Sequence, residues 1–231
     1  MFEKPEVPVA QSGEKHRREK VLKLEEMRRN VETLADSLGK GIDEGIKETI
    51  AVFNVLDIPT SQSCEGHPDR ESGGPYPWVR VEAEEEPAER FVGETEAFEN
   101  TALQHGVLLE TLKRGEPEDL YWGVRKQISV NEETPAFQEW TKKNIELQGK
   151  VQAFLDAFYR GRAVSDDTKL KIDEGVGGVF HVRSDEPAEL AIILGEITPE
   201  EFSNVVGKLT ARQEEMRAFT DFLRDTIYLK S

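Results

Sequence analysis

The sequence predicts an α+β fold, in which a small antiparallel sheet of two hairpins is covered by several long amphipathic helices. Long segments repeat apolar residues every three or four positions, which indicates helices with one apolar face. Four short segments alternate apolar and polar residues instead, and turn-forming residues separate them into two pairs. Two hairpins of this kind form a sheet with one apolar face, and we expect the apolar faces of the helices to pack against it.

The N-terminal part is predicted to be a tail followed by a helix. Residues 1–11 contain two prolines and little periodicity, so we expect a flexible tail there and a single α+β domain over 12–231. Apolar residues at helical spacing predict a helix from Ser12 to Leu38 that ends at the glycines of "LGKG". We expect this helix to pack on the domain or on a second copy of itself, and not to bind nucleic acid.

The remaining helices follow from the same periodicity. A second helix runs from Ile42 to Phe53, and the acidic residues of its first turn, Asp43 among them, suit the helix dipole. A third begins near Pro87 and extends toward Leu109. Later helices are predicted over 134–161, with Thr134 as N-cap, and over 199–228, with Thr198 as N-cap and Phe202 facing inward.

The sheet is predicted from four segments, at 60–66, 78–83, 168–173 and 179–183. Their shared alternation predicts that they form one antiparallel sheet with an apolar and a charged face. The segment at 116–130 is ambiguous, because its apolar residues also alternate like those of a strand, at Trp122, Val124, Ile128 and Val130.

Composition excludes several classes of protein. The chain of 231 residues has 46 acidic and 30 basic side chains, and its net charge of -16 disfavours generic nucleic-acid binding. The N-terminus lacks the apolar core of a signal peptide, and no stretch approaches the ~20 apolar residues that span a bilayer. One cysteine fits a reducing compartment. We therefore expect a cytoplasmic protein that contacts no membrane.

Chemically capable residues concentrate in the segment "TSQSCEGH" at 60–67. Cys64, the only cysteine, lies three residues before His67. One interpretation makes Cys64 a nucleophile, with His67 or His181 as base and Glu65 orienting it. Under this interpretation, a nearby histidine or arginine lowers the pKa of the Cys64 thiol. The alternative is that Cys64 is a small buried apolar residue.

The same segment contains half of a metal-binding pattern. A cysteine and a histidine at this spacing can converge on one ion. A structural zinc site needs two further ligands, and the sequence offers no second ligand pair at metal spacing. No metal site is therefore predicted, and the sequence identifies no cofactor.

Ligand-binding groups are predicted on both hairpins. Ser61, Ser63 and Gly66 leave backbone amides accessible, as an anion site requires. Tyr76 and Trp78, in the segment "GGPYPWV", form either a rigid aromatic wall for a ligand or a cap on the core.

On the second hairpin, alternation places His181 and Arg183 on the polar face of the sheet. If the hairpins are adjacent, these two side chains face the Cys64 loop, where an arginine favours an anionic group.

The segments "TSQSCEGH" and "LKIDEGVGGVFHVRSDEPAEL" resemble the tRNA wybutosine-synthesizing protein 3 family, which pairs a serine- and cysteine-containing segment with a later Leu-Lys…His-Val strand. The resemblance implies an RNA-modification activity. It also implies that Ser61, Ser63, Cys64, Gly66, Lys171 and His181 lie near the site. "SCEGH…PYPWV" also resembles segments of uncharacterised bacterial and phage proteins, which imply no activity.

Three functions follow as hypotheses. The first is a small-molecule binding or active site, suited to an anionic ligand, with Cys64, His67 and His181 as reactive groups. The second is a non-catalytic interaction protein that forms a homodimer through its amphipathic helices. The third, from the resemblance, is an enzyme related to RNA modification.

Overall fold

The computed structural model describes residues 9–35, 39–68, 76–184 and 198–229, and it confirms the α+β fold. Its four strands form one antiparallel sheet in the order β1–β2–β4–β3, so the two predicted hairpins lie side by side as expected. The strands, in chain order, are β1 (Thr60–Cys64), β2 (Trp78–Val81), β3 (Lys171–Glu174) and β4 (Phe180–Arg183).

Seven α-helices occur among the described residues. They are α1 (Val9–Val31), α2 (Lys47–Val55), α3 (Glu94–His105), α4 (Leu109–Lys113), α5 (Glu118–Ile128), α6 (Pro135–Phe158) and α7 (Pro199–Leu229). Short 3-10 turns at Glu44–Ile46 and Val176–Gly178 precede α2 and join β3 to β4. No helix of these described segments is both long and apolar enough to cross a membrane.

The apolar face of the sheet lies in the main core. Val79, Val81, Phe180 and Val182 are fully buried, and they pack in one cluster with apolar residues of α1, α2, α6 and α7. The alternation read from the sequence therefore marks the buried face correctly. The opposite face carries the half-buried polar residues of β2 and β4.

The N-terminal helix differs from the prediction at both ends. It begins at Val9, so residues 9–11 are helical, whereas the rest of the predicted tail, residues 1–8, lies outside the described residues. It ends at Val31; Leu38, at the predicted end, lies outside the described residues too. Val31 and Leu24 are buried against α2 and α7, which confirms the prediction that this helix packs on the domain.

The strand-like interpretation of 116–130 is wrong, because most of this segment forms α5. Its buried residues are Val124 and Ile128, four positions apart on one helix face, in a separate small cluster with α3 and α4. Trp122 and Val130, which completed the apparent alternation, are exposed. Helical spacing decided the structure here, and the alternation was accidental.

Smaller corrections concern helix boundaries and one side chain. The helix expected from Pro87 begins at Glu94 and ends at His105, directly before Gly106, which has a positive φ. Phe202, expected to face inward from α7, is exposed. The N-cap of α6 is confirmed, since the backbone N–H of Phe137 donates to Thr134 Oγ1 at 3.2 Å.

Candidate functional site

The loop after β1 contains a turn that accepts only glycine without rearrangement. Gly66 has a φ of +82°, and a Cβ atom added there would lie 2.7 Å from both Leu209 Cδ1 and the carbonyl carbon of Tyr76. Helix α7 fixes the same turn, because Gln213 Nε2 donates to the carbonyl oxygens of Glu65 and Gly66 at 3.0 and 3.3 Å. The chain therefore reverses tightly between Cys64 and His67.

This turn brings Cys64 and His67 to a third residue, Asp43, which the sequence analysis did not connect with them. His67 Nε2 donates to Asp43 Oδ2 at 3.2 Å, and the backbone N–H of Glu65 reaches the same oxygen at 3.3 Å. Asp43 immediately precedes the 3-10 turn before α2, yet its side chain makes no capping hydrogen bond. It contacts the loop instead of completing the helix start.

The Asp43–Cys64–His67 cluster is compact and mostly shielded from solvent. A potential ligand atom from each residue lies within 4.8 Å of the other two. Cys64 is 7% exposed, and the side chains of Asp43 and His67 are 14% and 20% exposed. A thiol, a carboxylate and an imidazole thus meet at one place under the loop.

The pKa of the Cys64 thiol shifts in the direction opposite to the prediction. Burial raises the pKa of the thiol, and the negative charge of Asp43 raises it further, although the Gly66 N–H that reaches Sγ at 3.3 Å opposes this. The expected lowering of the Cys64 pKa by a histidine or arginine is therefore wrong. Burial also raises the pKa of Asp43, but the hydrogen bonds from His67 and Glu65 and the charge of Lys40 outweigh it and leave that pKa low.

Cys64 is expected to react slowly with a maleimide in the native protein, at least ~100-fold more slowly than in denaturant, because reaction of a buried thiol requires local opening. The rate is measured by mass spectrometry on chelator-treated protein. His181→Ala should leave the native rate within about twofold, because the two residues make no contact across the sheet. Rapid alkylation of the native wild-type protein would contradict the burial of Cys64.

A cavity of about 600 Å³ lies next to the cluster, and Asp43 is part of its wall. It is lined by the end of α1, the segment around Lys40, helix α2 and strand β1. Among the predicted ligand-binding residues, Ser61, Ser63 and Trp78 line it. The cavity thus joins the first hairpin to the region that precedes α2.

His181 lies apart from the cluster. In the sheet register it is opposite Arg80 on β2 and Asp173 on β3, and its ring meets Trp78 edge-on at 5.3 Å. Two strand spacings, roughly 10 Å, separate β4 from β1, so His181 is beyond hydrogen-bonding reach of Cys64. It lines a different cavity of about 270 Å³, and burial lowers its pKa.

The predicted anion anchor is also engaged elsewhere. Arg183 donates from Nε and Nη2 to Asp173 Oδ2 at 3.0 and 2.8 Å, and its guanidinium lies 5.2 Å from the centre of the Tyr76 ring. Lys171 is opposite Arg183 in the register and is exposed. These three predicted ligand-binding residues form a surface group on the sheet.

The two remaining predicted residues support the loop itself. Glu65 Oε2 accepts a hydrogen bond of 2.6 Å from the backbone N–H of Gly45, so this side chain ties the loop to the 3-10 turn. Gly66 is the turn described above. The neighbouring residues 69–75, which include the glycines of "GGPYPWV", lie outside the described residues.

Comparison with protein-family models, with curated proteins and with solved structures finds no match to this chain. The resemblance to the wybutosine-synthesis family stays an expectation from the sequence. Any function must therefore be argued from the cluster and the cavity.

Proposed function

We propose that the protein binds a small molecule with an anionic group in the cavity between β1, α1 and α2. The observation that carries this proposal is the cavity itself. Its volume of about 600 Å³ falls within the range of roughly 300–1,000 Å³ that is typical of small-molecule sites. It also lies on the segment where the sequence concentrates its chemically capable residues.

The lining combines an apolar wall with a few polar groups, as ligand sites commonly do. Val31 and Ile50 belong to both the cavity wall and the main core, so this wall is fixed by packing. Asn54 is held by its own contacts, since Nδ2 donates to Ile50 O and to Thr60 Oγ1 at 2.8 and 3.1 Å. The apolar wall suits the body of a ligand, and the polar groups suit its head.

The expected ligand charge follows from Lys40. It is the basic residue among the described residues of the wall, and its Nζ lies 3.7 Å from Asp43 Oδ1. An ammonium group in a wall that also carries hydroxyl groups of β1 attracts a carboxylate or phosphate. The proposal is one of binding, because a buried thiol whose pKa is raised is a poor nucleophile at neutral pH.

A thermal-shift screen against phosphates, nucleotides and small carboxylates tests the proposal, with a chelator present throughout. We expect at least one of these anions to raise the melting temperature of the wild-type protein. Lys40→Gln should weaken binding of that anion by roughly tenfold or more, because a hydrogen bond to a charged group contributes about 1.5–3 kcal/mol. Ser63→Leu should also weaken binding, because it replaces a hydroxyl group of the lining with a larger apolar side chain.

Lys126→Gln is the matched control, because Lys126 is an exposed lysine on α5 outside the cavity lining. This variant should bind as the wild type does. A screen in which no anion binds, or in which Lys40→Gln and Ser63→Leu bind as tightly as Lys126→Gln, would contradict the proposal.

A second candidate function is a helical interaction surface. Leu103 and Trp122, on α3 and α5, and Leu108, directly before α4, are 84%, 60% and 76% exposed. A homodimer in solution that Leu103→Glu dissociates would favour this function. The third hypothesis, RNA modification, continues to rest on the sequence resemblance alone.

A further inference from the structure

We propose that Asp43, Cys64 and His67 together bind one zinc ion. Their potential ligand atoms already lie within 4.8 Å of one another. Tetrahedral zinc bonds of about 2.0–2.3 Å place ligand atoms roughly 3.3–3.8 Å apart. A contraction of about 1.5 Å at most, within the range of side-chain rotation, therefore closes the cluster around an ion. This inference goes beyond ligand binding in the cavity and does not depend on it.

The donor types select zinc over the common hard cations. The cluster offers one sulfur, one nitrogen and one carboxylate oxygen. Thiolate and imidazole suit zinc, whereas magnesium and calcium prefer oxygen donors throughout. A thiolate and a carboxylate together also balance the two positive charges of the ion, so the loaded centre would carry no net charge in its half-buried place.

The surroundings of the cluster hold its ligands in place. The Gly66 N–H reaches Cys64 Sγ at 3.3 Å, and the Glu65 N–H reaches Asp43 Oδ2 at 3.3 Å. Hydrogen bonds of this kind orient metal ligands and stabilise their charged forms. The absence of a capping hydrogen bond from Asp43 is explained as well, because its carboxylate contacts Glu65 and His67 of the loop instead of the first turn of the helix.

Three protein ligands leave a fourth position for water or a bound molecule, as in catalytic rather than structural zinc sites. Asp43 also lines the 600 Å³ cavity, so we expect the open position to face that cavity. A zinc ion there would offer its open coordination position to the proposed anionic group, at the end of the cavity near Lys40. The metal site would thus add to the cavity a position at which a ligand atom can bind the metal directly.

Cobalt(II) titration of the chelator-treated protein tests the site. Cobalt replaces zinc with similar geometry and absorbs in the near ultraviolet when a thiolate is bound to it. Because Cys64 is the only cysteine, such a band reports this residue alone. We expect one equivalent of cobalt to produce the band and one equivalent of zinc to remove it.

The variants separate the cluster from nonspecific binding. Cys64→Ser should lose the band. Asp43→Asn and His67→Gln should each weaken metal binding by more than the roughly 10- to 100-fold that is usual for the loss of an outer hydrogen-bond partner. Glu44→Gln and His105→Gln are the matched controls, because both residues are exposed and lie outside the cluster. They should bind cobalt as the wild type does.

Absence of a thiolate band in the wild-type protein would overturn the proposal, even if a variant failed to fold. Equal cobalt affinities of Asp43→Asn and Glu44→Gln would also overturn it. The anion screen contains a chelator, so its outcome is independent of this one. Cobalt binding without anion binding would support the metal site and contradict the cavity proposal.

Discussion

Gly66→Ala is expected to destabilise the protein by about 2–5 kcal/mol. The backbone at Gly66 has a φ of +82°, and strain of this kind costs an ordinary residue about 1–2 kcal/mol. The added methyl group would also lie 2.7 Å from Leu209 Cδ1 and 2.9 Å from the carbonyl oxygen of Tyr76. Overpacking of this sort adds roughly 1–3 kcal/mol, since the backbone of residue 76 must move.

Gly93→Ala separates the two causes. Gly93 has a similar φ of +79°, but an added Cβ atom there meets nothing within 4 Å. Its substitution should cost only the backbone strain, roughly 1–2 kcal/mol. Urea unfolding followed by tryptophan fluorescence measures both free energies. If the two substitutions lower the free energy of unfolding equally, the loop is not packed closely against α7 at Gly66.

Asn144→Ala is expected to cost about 2–6 kcal/mol, because it leaves two backbone groups without their partner. Asn144 is fully buried; its Oδ1 accepts from the Ala83 N–H at 2.6 Å, and its Nδ2 donates to Gly177 O at 3.0 Å. These bonds connect the end of β2 and the β3–β4 turn to α6. Each buried group left unpaired costs about 1–3 kcal/mol.

Asn131→Ala provides the comparison for this substitution. Asn131 is exposed, and its side chain donates a hydrogen bond from Nδ2 to Val92 O at 2.8 Å. Water can replace that bond, so its loss should cost about 0.5–1 kcal/mol or less. A cost for Asn144→Ala no larger than that for Asn131→Ala, by the same urea measurement, would show that α6 is not held to the sheet in this way.

The sheet could be predicted from sequence because its pattern is local. Strands β2 and β4 each alternate within four residues, and Val79, Val81, Phe180 and Val182 are buried as that alternation requires. The same rule failed at α5, where apolar residues satisfied both a strand and a helix pattern. Burial of Val124 and Ile128 against α3 and α4 decided between them, and that contact is not visible in the segment itself.

The candidate site could be predicted only in part, because its members are distant in sequence. The segment from Ser61 to His67 was found through its unusual composition. Asp43 lies 21 residues before Cys64, and it reaches the loop only because α2 leads directly into β1 and reverses the chain. No spacing rule relates an acidic residue before a helix to a cysteine at the end of the next strand.

His181 was predicted to face Cys64 because the two hairpins were expected to be adjacent, and the order of the strands shows why the two residues do not meet. Adjacent hairpins were predicted, and they are adjacent. The register, however, places β2 between β1 and β4, with His181 in the row of Arg80 rather than that of Cys64. A shared sheet face therefore did not amount to contact, and Trp78 is the residue that lies opposite Cys64 and also meets His181.

X-ray absorption at the zinc edge of the zinc-loaded protein is the most direct test that the loop after β1 and the residue before α2 build one functional site. The structure predicts a first shell with one sulfur at about 2.3 Å, from Cys64, and nitrogen or oxygen ligands at about 2.0–2.1 Å. Asp43→Asn should alter this shell, and Glu44→Gln should not. A shell without sulfur would contradict the account, because zinc would then be bound away from Cys64.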